Sequence, residues 1–278
     1  MITETKLDSL LAHSNPLPMA PDMSSADKSL LLKSICDRQI DDTDLLLETV
    51  KLHDSVTVEF RGQVAVLNFD DGNANLLTIP VLQAFIQAID LCEADSEIGA
   101  IAIIGREGFF SAGLERSIFF ESPDTVNKCL GTLAELLMRL YESSTRVAVA
   151  CTGHAIAAGA LLLLAADVRI GTTGQFKIGM NEVSIGITLP SWATEFARQR
   201  LSNRAFQRAT ATGHLYPPVE AIDAGFVDQL VDGDVISAVI SEAQKLAILD
   251  PISYGETTLS SRGECLSNMR ALIKSSGR

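Results

Sequence analysis

The pattern of apolar and polar positions along the chain alternates between two kinds from residue 54 onward. Residues 56–60 and 63–69 alternate apolar and polar side chains around a short turn, which is typical of a β-hairpin. Residues 79–94 repeat apolar side chains at helical spacing. The short apolar runs at 100–104 and 147–151 are typical of buried strands.

The same alternation continues to the C-terminus. Further helices are predicted over residues 127–141, 157–166, 193–201, 203–213, 218–224, 236–249 and 263–273. Further strands are predicted over residues 168–171, 175–178 and 226–230. Because strands and helices alternate with few residues between them, the pattern predicts an α/β fold.

Residues 1–53 have a different texture and are interpreted as an N-terminal extension. They contain three prolines and then an acidic, leucine-rich stretch. Helices are predicted near Ser25 and from Asp41 through Val50. We expect the extension to pack on the body of the protein or on another subunit.

Composition and charge narrow the class of protein. Of the 278 residues, 47% are hydrophobic, which suffices for a packed core and excludes a disordered chain. The longest apolar run, residues 155–166, is too short to span a bilayer, and the N-terminus lacks a signal-peptide layout. The formal net charge of −13 argues against nucleic acid or an anionic membrane as partner. These features predict a cytoplasmic protein.

Cysteine and histidine are too scattered for a metal site. The five cysteines stand singly and the four histidines do not cluster, so no metal-ligand spacing occurs. We therefore expect no metal and no disulfide framework.

The candidate chemistry is concentrated in residues 153–190. This stretch begins with small residues, continues as an apolar run and ends on a carboxylate, Glu182, between hydrophobic residues. Small residues at a helix start leave free N–H groups near the positive end of the helix dipole. The stretch therefore predicts an anion-stabilising pocket beside a group that moves a proton.

A second small-residue segment, 109–115, follows the predicted strand 100–104. Active sites of α/β folds gather at the carboxyl ends of strands. A main-chain N–H near Leu114 is expected to point at a substrate oxygen there. Two such segments side by side are suited to hold one oxyanion, such as an enolate oxygen.

Three segments in this order and spacing, FSAGLE (110–115), GHAIAAGALLLLAADVRIG (153–171) and GMNEVSIGITLP (179–190), resemble the crotonase (enoyl-CoA hydratase/isomerase) superfamily. The resemblance covers roughly residues 56–231. It implies a spiral of ββα repeats over residues 54–215 and a C-terminal helical oligomerisation region over 216–278. It also implies an acyl-CoA thioester substrate, no tightly bound cofactor beyond the coenzyme A of that substrate, and a homotrimer or dimer of trimers.

Roles carried over by motif fall on named residues. The backbone donors to the thioester oxygen are Leu114 and Ala158, where Ala158 replaces the glycine common in the family. The catalytic carboxylate is Glu182. The residues expected to bind substrate are Ala112, Gly113, Gly159, Leu161, Pro190 and Trp192.

Leu161 stands where hydratases of the family carry a second glutamate. Hydration needs one group to activate water and another to manage the α-proton, and leucine does neither. The pattern resembles mitochondrial-type Δ3,Δ2-enoyl-CoA isomerases, in which a single glutamate suffices. Enoyl-CoA hydratase or another crotonase-type reaction is the alternative, and a non-catalytic acyl-thioester-binding protein is the alternative of another class.

Several further residues have two open interpretations. Phe119, Phe120, Trp192 and Phe196 belong either to the acyl pocket or to the core. His154 and Glu115 adjoin the oxyanion segments, where a structural role is favoured over chemistry. Arg106 and Arg116 are candidates for contacting the phosphates of coenzyme A.

Overall fold

The computed structural model describes residues 49–276, and the helix predicted near Ser25 lies outside them. Twelve strands lie in the described residues: β1 Thr49–His53, β2 Val56–Arg61, β3 Val64–Phe69, β4 Leu76–Leu77, β5 Ala100–Gly105, β6 Gly108–Ser111, β7 Gly113–Leu114, β8 Arg146–Cys151, β9 Gly153–Ile156, β10 Val168–Thr172, β11 Ile178–Gly179 and β12 Gln229–Val231.

Eight α-helices complete this part of the chain. They are α1 Ile79–Ala94, α2 Pro123–Glu142, α3 Ala158–Leu164, α4 Ser191–Arg200, α5 Asn203–Ala211, α6 Pro218–Ala224, α7 Val235–Ala247 and α8 Pro251–Ser276. Short 3-10 helices cover Arg116–Phe120 and Val183–Ile185. None of the helices in residues 49–276 combines the length and the apolar character needed to cross a bilayer.

The strands form a seven-stranded large sheet, a three-stranded small sheet and a separate parallel pair, β4 with β7. The large sheet has the order β1-β2-β3-β5-β8-β10-β12, antiparallel from β1 to β3 and parallel from β3 onward. The small sheet has the parallel order β11-β9-β6. Strands that follow one another in the chain alternate between these two sheets: β5, β8 and β10 lie in the large sheet, and β6, β9 and β11 lie in the small sheet. The chain therefore advances as a spiral of two-strand units followed by helices.

Both faces of the large sheet are covered. Along β3, Ala65 and Leu67 belong to the main core with α1 and α2, while Val64 and Val66 belong to a second core with α7. Parallel strands buried on both faces are expected to be continuously apolar, which explains the unbroken runs in β5 and β8. The sheet is therefore the fixed platform from which the connecting segments project.

Two predictions differ from the structure, and of the helix predicted from Asp41 through Val50 only residues 49 and 50 are among the described residues. Val50, assigned to a helix from its leucine-rich surroundings, lies in β1, where Val50 is opposite Val58 of β2. The strand predicted over 175–178 is reduced to the two residues Ile178–Gly179. In both places the structure is determined by pairing with a neighbouring strand, and local periodicity carries no information about that pairing.

Other elements differ only in their ends. Helix α2 begins at Pro123, four residues before the prediction, because the Ser122 side chain caps the Thr125 N–H and proline occupies the first turn. The helix predicted over 263–273 is part of the longer α8. The late strand is β12, shifted towards the C-terminus from the predicted 226–230.

Candidate active site

The first predicted backbone donor, Leu114, lies in the two-residue strand β7. Gly113 and Leu114 pair in parallel with Leu76 and Leu77 of β4, and the Glu115 N–H donates to the Leu77 carbonyl at 3.3 Å. Successive residues of an extended strand direct their backbone groups to opposite sides. The Leu114 N–H therefore points away from β4.

The second predicted backbone donor, Ala158, lies at the start of α3. The N–H groups of Ala160 and Leu161 both donate to the Ala157 carbonyl, at 2.9 and 3.1 Å. Ala158 is then the first helical residue, and its N–H has no acceptor within the helix. The positive φ falls on Ala157, with φ 55° and ψ −123°, and not on Ala158, so alanine meets no left-handed strain at the position where the family resemblance expects glycine.

Two glycines hold the donor segments in contact. A Cβ added to Gly113 would lie 2.8 Å from the Ile156 carbonyl oxygen and 3.1 Å from the Ala158 nitrogen. A Cβ added to Gly159 would lie 2.4 Å from the Ser111 carbonyl oxygen. These two residues, predicted to bind substrate, lie between the segments and not on the cavity surface.

Glu182 lies opposite, in a turn that follows β11. Its carbonyl accepts the N–H groups of Ile185 and Ile187, at 3.1 and 2.9 Å, which fixes the turn around it. The residue is 8% exposed, and within the described residues its Oε2 atom has no hydrogen-bond partner. Burial raises the pKa of Glu182 from 4.5 to about 7, although its own backbone N–H acts in the opposite direction.

A single cavity brings these groups together. Leu114, Ala158 and Glu182 line it, together with the four predicted substrate-binding residues Ala112, Leu161, Pro190 and Trp192. The remaining lining residues are mostly apolar: Arg116, Phe119, Leu130, Leu133, Ile156, Ala157, Asn181, Ile185, Ile187, Thr188, Leu189 and Ala193. Among the described residues that line the cavity, Glu182 is the sole carboxylate and Arg116 the sole cation.

The structure separates the aromatic candidates. Phe119 and Trp192 line the cavity, whereas Phe120 is 87% exposed and Phe196 is buried in the core against Tyr141, with the ring centroids 5.1 Å apart. An acyl-pocket role for Phe120 or Phe196 finds no support in these positions.

The polar candidates also divide. His154 lies outside the cavity lining; its Nδ1 atom accepts the Lys177 N–H at 3.0 Å and its ring packs between Phe109 and Phe176. Glu115 is exposed and does not line the cavity either. Both positions fit the structural roles that were favoured for these residues.

The two candidate arginines differ in whether their charge is already paired and in whether they line the cavity. Arg106 pairs with Asp70 at 3.2 Å and donates to the Asn73 carbonyl, so its charge is already matched. Arg116 is exposed at the cavity lining and makes no ion pair within residues 49–276. Only Arg116 is placed to meet a charged group of a ligand.

Sequence reasoning missed part of the lining. Leu130 and Leu133 lie on the inward face of α2, and the apolar spacing that predicted a helix over 127–141 gave no sign that this face also borders the cavity. Ile187, Thr188 and Leu189 follow Glu182 closely along the chain, and that proximity was the available signal. Within the described residues no group of His, Cys, Asp or Glu is arranged to hold a metal ion.

The architecture around this cavity is the crotonase fold, as expected from the sequence. The chain belongs to the enoyl-CoA hydratase/isomerase family, whose model matches residues 59–259. The structure of an enoyl-CoA isomerase from Mycobacterium tuberculosis matches with a TM-score of 0.76 at 35% identity, covering 80% of this chain and 96% of that chain.

Two curated relatives carry different reaction names. Human mitochondrial enoyl-CoA delta isomerase 1 is 33% identical over 192 residues, covering 67% of this chain and 64% of the relative. A probable enoyl-CoA hydratase of Bacillus subtilis is 28% identical over 187 residues, covering 66% of this chain and 71% of the relative. The matched region thus spans about 64% of the isomerase relative's length, and the relatives' names leave the reaction to be argued from the site.

Proposed function

We propose that the protein is an acyl-CoA double-bond isomerase that converts 3-enoyl-CoA into 2-enoyl-CoA. The observation that carries this proposal is the single carboxylate of the cavity. Glu182 is buried among apolar residues, its Oε2 atom has no partner in the described part of the chain, and its pKa is raised to about 7. A general base works best when its pKa lies near the operating pH.

The proposed reaction moves one proton in two steps. Glu182 removes a proton from C2 of the 3-enoyl thioester, and the electrons move onto the thioester oxygen as a dienolate. The N–H groups of Leu114 and Ala158 donate to that oxygen as its charge develops. Glu182 then returns the proton at C4, which leaves the double bond conjugated with the thioester.

Leu161 favours isomerisation over hydration. Its buried side chain lines the cavity at the position where hydratases of the family carry a second glutamate. Water added across a double bond needs a group that activates it in addition to the group that handles the α-proton. An isomerase needs no activated water, and an apolar Leu161 wall discourages its entry.

The same proposal covers the substrate and the assembly. Coenzyme A enters as part of the substrate, with Arg116 at the cavity lining available to its phosphates, and no tightly bound cofactor is required. The working assembly is proposed to be a homotrimer or a dimer of trimers. The human relative is named as mitochondrial, whereas the sequence features of this chain favour the cytoplasm.

The test is a paired absorbance assay on the full-length protein. Incubation with a 3-enoyl-CoA should raise the ultraviolet absorbance of the conjugated thioester. Glu182→Gln, which keeps the size of the side chain and removes the base, should lower the rate by about 10²–10⁴-fold. The exposed Glu115→Gln is the matched control and should retain the wild-type rate.

The alternatives have distinct outcomes in the same assay. Hydration of 2-enoyl-CoA at a rate comparable with isomerisation would overturn the interpretation of Leu161 and select a hydratase. Binding of CoA esters without turnover on a panel of thioesters would select a non-catalytic binding protein. Unchanged isomerisation in the Glu182→Gln variant would overturn the assigned mechanism.

A further inference from the structure

We propose that Asn75 and Ser111 form a positioning relay that sets the Leu114 N–H against the Ala158 N–H, an inference that rests on the proposed function. Neither residue lines the cavity. Both are buried polar residues directly behind the first donor segment. Their hydrogen bonds connect a loop of the large sheet to the backbone that carries Leu114.

The relay starts from an ordered loop after β3. The Asp71 carboxylate accepts the backbone N–H groups of Asn73, Asn75 and Leu76 at 2.7–2.9 Å, and the Asn75 side-chain oxygen accepts the Asp71 N–H at 2.9 Å. These bonds hold Asn75 in the left-handed region, at φ 53°, which asparagine tolerates better than most residues. Leu76 then starts β4, the partner of the donor strand.

Asn75 is tied to both sheets through its side-chain amide. Its Nδ2 atom donates to the Phe69 carbonyl at 2.6 Å and lies 3.2 Å from the carbonyls of Phe109 and Phe110. Phe69 ends β3 of the large sheet, and the two other carbonyls belong to β6 of the small sheet. One buried side chain therefore fixes β6, which leads into the donor segment, on the large sheet.

Ser111 passes this position on to the donor segment. Its hydroxyl donates to the Asn75 carbonyl at 2.7 Å and accepts the Gly113 N–H at 3.1 Å. Gly113 directly precedes Leu114, so this second bond limits how the Leu114 peptide is oriented. A hydroxyl that donates and accepts at once holds the strand end from two sides.

The far side of Ser111 sets the distance to the second donor. A Cβ on Gly159 would approach the Ser111 carbonyl oxygen to 2.4 Å and the Ser111 Cβ to 2.8 Å, so the first turn of α3 rests against this residue. Ser111 is thus held between Asn75 and the helix that presents Ala158. Preorganised donors stabilise a developing oxyanion only when their geometry is kept, and a misplacement of about 1 Å can cost about 10²-fold in rate.

The experiment compares Ser111→Ala with a matched control, Ser143→Ala. The Ser143 hydroxyl is also buried, accepts the N–H two residues on (Thr145, 3.1 Å) and donates to a side chain, Glu93, at 2.8 Å. Ser143 does not line the cavity. The two variants therefore remove similar bonds, one beside the donor segment and one away from it.

The expected result is a loss of turnover without a loss of binding. Ser111→Ala should lower kcat for 3-enoyl-CoA by about 10- to 100-fold and change KM by less than about twofold, because the lost geometry matters in the transition state. A bound 3-oxoacyl-CoA serves as a second probe, because its enolate oxygen would be stabilised by the same two N–H groups. The absorbance of that enolate should also fall in Ser111→Ala at constant pH. Ser143→Ala should lower the thermal midpoint by a similar amount and leave kcat and the enolate band as in the wild type.

Two results would overturn the relay. The first is a Ser111→Ala variant that keeps the wild-type kcat and enolate absorbance. The second is a Ser111→Ala variant whose losses of kcat and enolate absorbance are no larger than those of Ser143→Ala when both variants have the same thermal midpoint. Should Ser111→Ala fail to fold, Ser111→Cys decides, since a thiol keeps the size and only weak hydrogen bonding. Its kcat should fall by about tenfold, and an unchanged kcat contradicts the relay. A wild-type protein that isomerises no 3-enoyl-CoA removes the proposed function instead, and the enolate band alone then tests the relay.

Discussion

The cavity has two walls built on different physical principles. The backbone wall, formed by residues 112–114 and 156–158, presents main-chain N–H groups and is buried or half-buried throughout. The acid wall, residues 181–190, is a turn with a short 3-10 helix in which Val183 and Ile185 are exposed while Glu182 is buried. The first wall is held by contacts between strands and a helix, and the second by a few hydrogen bonds within a turn.

This difference matches what each wall is proposed to do. An oxyanion site must keep its donors fixed while charge develops, which requires close packing. A carboxylate that takes a proton from one carbon and returns it at another needs a raised pKa and some freedom to reach both. Burial raises the pKa of Glu182, and its Oε2 atom is not held by a hydrogen bond within the described residues. Substitutions that disturb one wall at a time test this difference.

The largest effect is expected from Gly113→Ala in the backbone wall. Gly113 has φ 89°, and a Cβ there would meet the Ile156 oxygen at 2.8 Å and the Ala158 nitrogen at 3.1 Å. The methyl group must push the two donor segments apart, so kcat should fall by about 10²–10³-fold, as when a donor is lost. Backbone strain should also cost about 1–3 kcal/mol of unfolding free energy in urea.

Gly186→Ala is the matched change in the acid wall. Gly186 has a similar φ of 77°, but a Cβ there would meet nothing within 4 Å. The substitution should therefore cost a comparable amount of stability and leave kcat within about threefold of the wild type, since strain alone does not move the donors. Equal losses of kcat in the two variants would contradict the conclusion that only the backbone wall depends on close packing.

The next effect is the pH dependence set by Glu182. The base must be ionised to accept a proton, and the pKa of Glu182 is about 7. We therefore expect kcat/KM to fall about tenfold for each pH unit below 7 and to level off above pH 8. The profile is measured with the absorbance assay on wild type and on Glu115→Gln. A flat profile between pH 5 and 8 would contradict Glu182 as the base.

The same pKa makes a prediction for stability. The folded protein holds the Glu182 proton up to about pH 7, whereas the unfolded chain releases it near 4.5. The group therefore destabilises the fold increasingly as pH rises from 4.5 to 7, by up to roughly 3 kcal/mol above that range. Urea unfolding should show Glu182→Gln gaining stability over the wild type at pH 8 and little at pH 5. A difference that is the same at both pH values would contradict the raised pKa.

The sequence was sufficient for elements that are locally determined. The bounds of α1 and α6 match the prediction residue for residue, because apolar spacing, prolines in the first turn and a left-handed Gly225 mark their ends. Motif order also placed Leu114, Ala158 and Glu182 on one cavity. The physical reason is that these segments follow neighbouring parallel strands, whose carboxyl ends meet at one edge.

What the sequence did not contain is long-range. Strands β6, β7 and β9 are two to four residues long and exist only through pairing with distant segments. Asn75 reads as a loop asparagine, yet it bonds Phe109 and Phe110 more than thirty residues away. The spacing of apolar residues along a helix does not distinguish Leu133, which faces both core and cavity, from an ordinary core leucine.

The smallest expected effect concerns Arg116, which lines the cavity and has no ion pair within residues 49–276, in contrast to Arg106, which lies outside the lining and pairs with Asp70. Arg116→Met should raise KM for an enoyl-CoA by up to about fivefold at low salt, the scale of an exposed charge contact. The effect should shrink as salt is added, because the screening length falls to about 10 Å at 0.1 M. Arg106→Met, which breaks an existing pair with Asp70, should change stability more than KM. If KM rises equally in both variants, the phosphates respond to the overall positive charge of this surface, and a specific contact with Arg116 is contradicted.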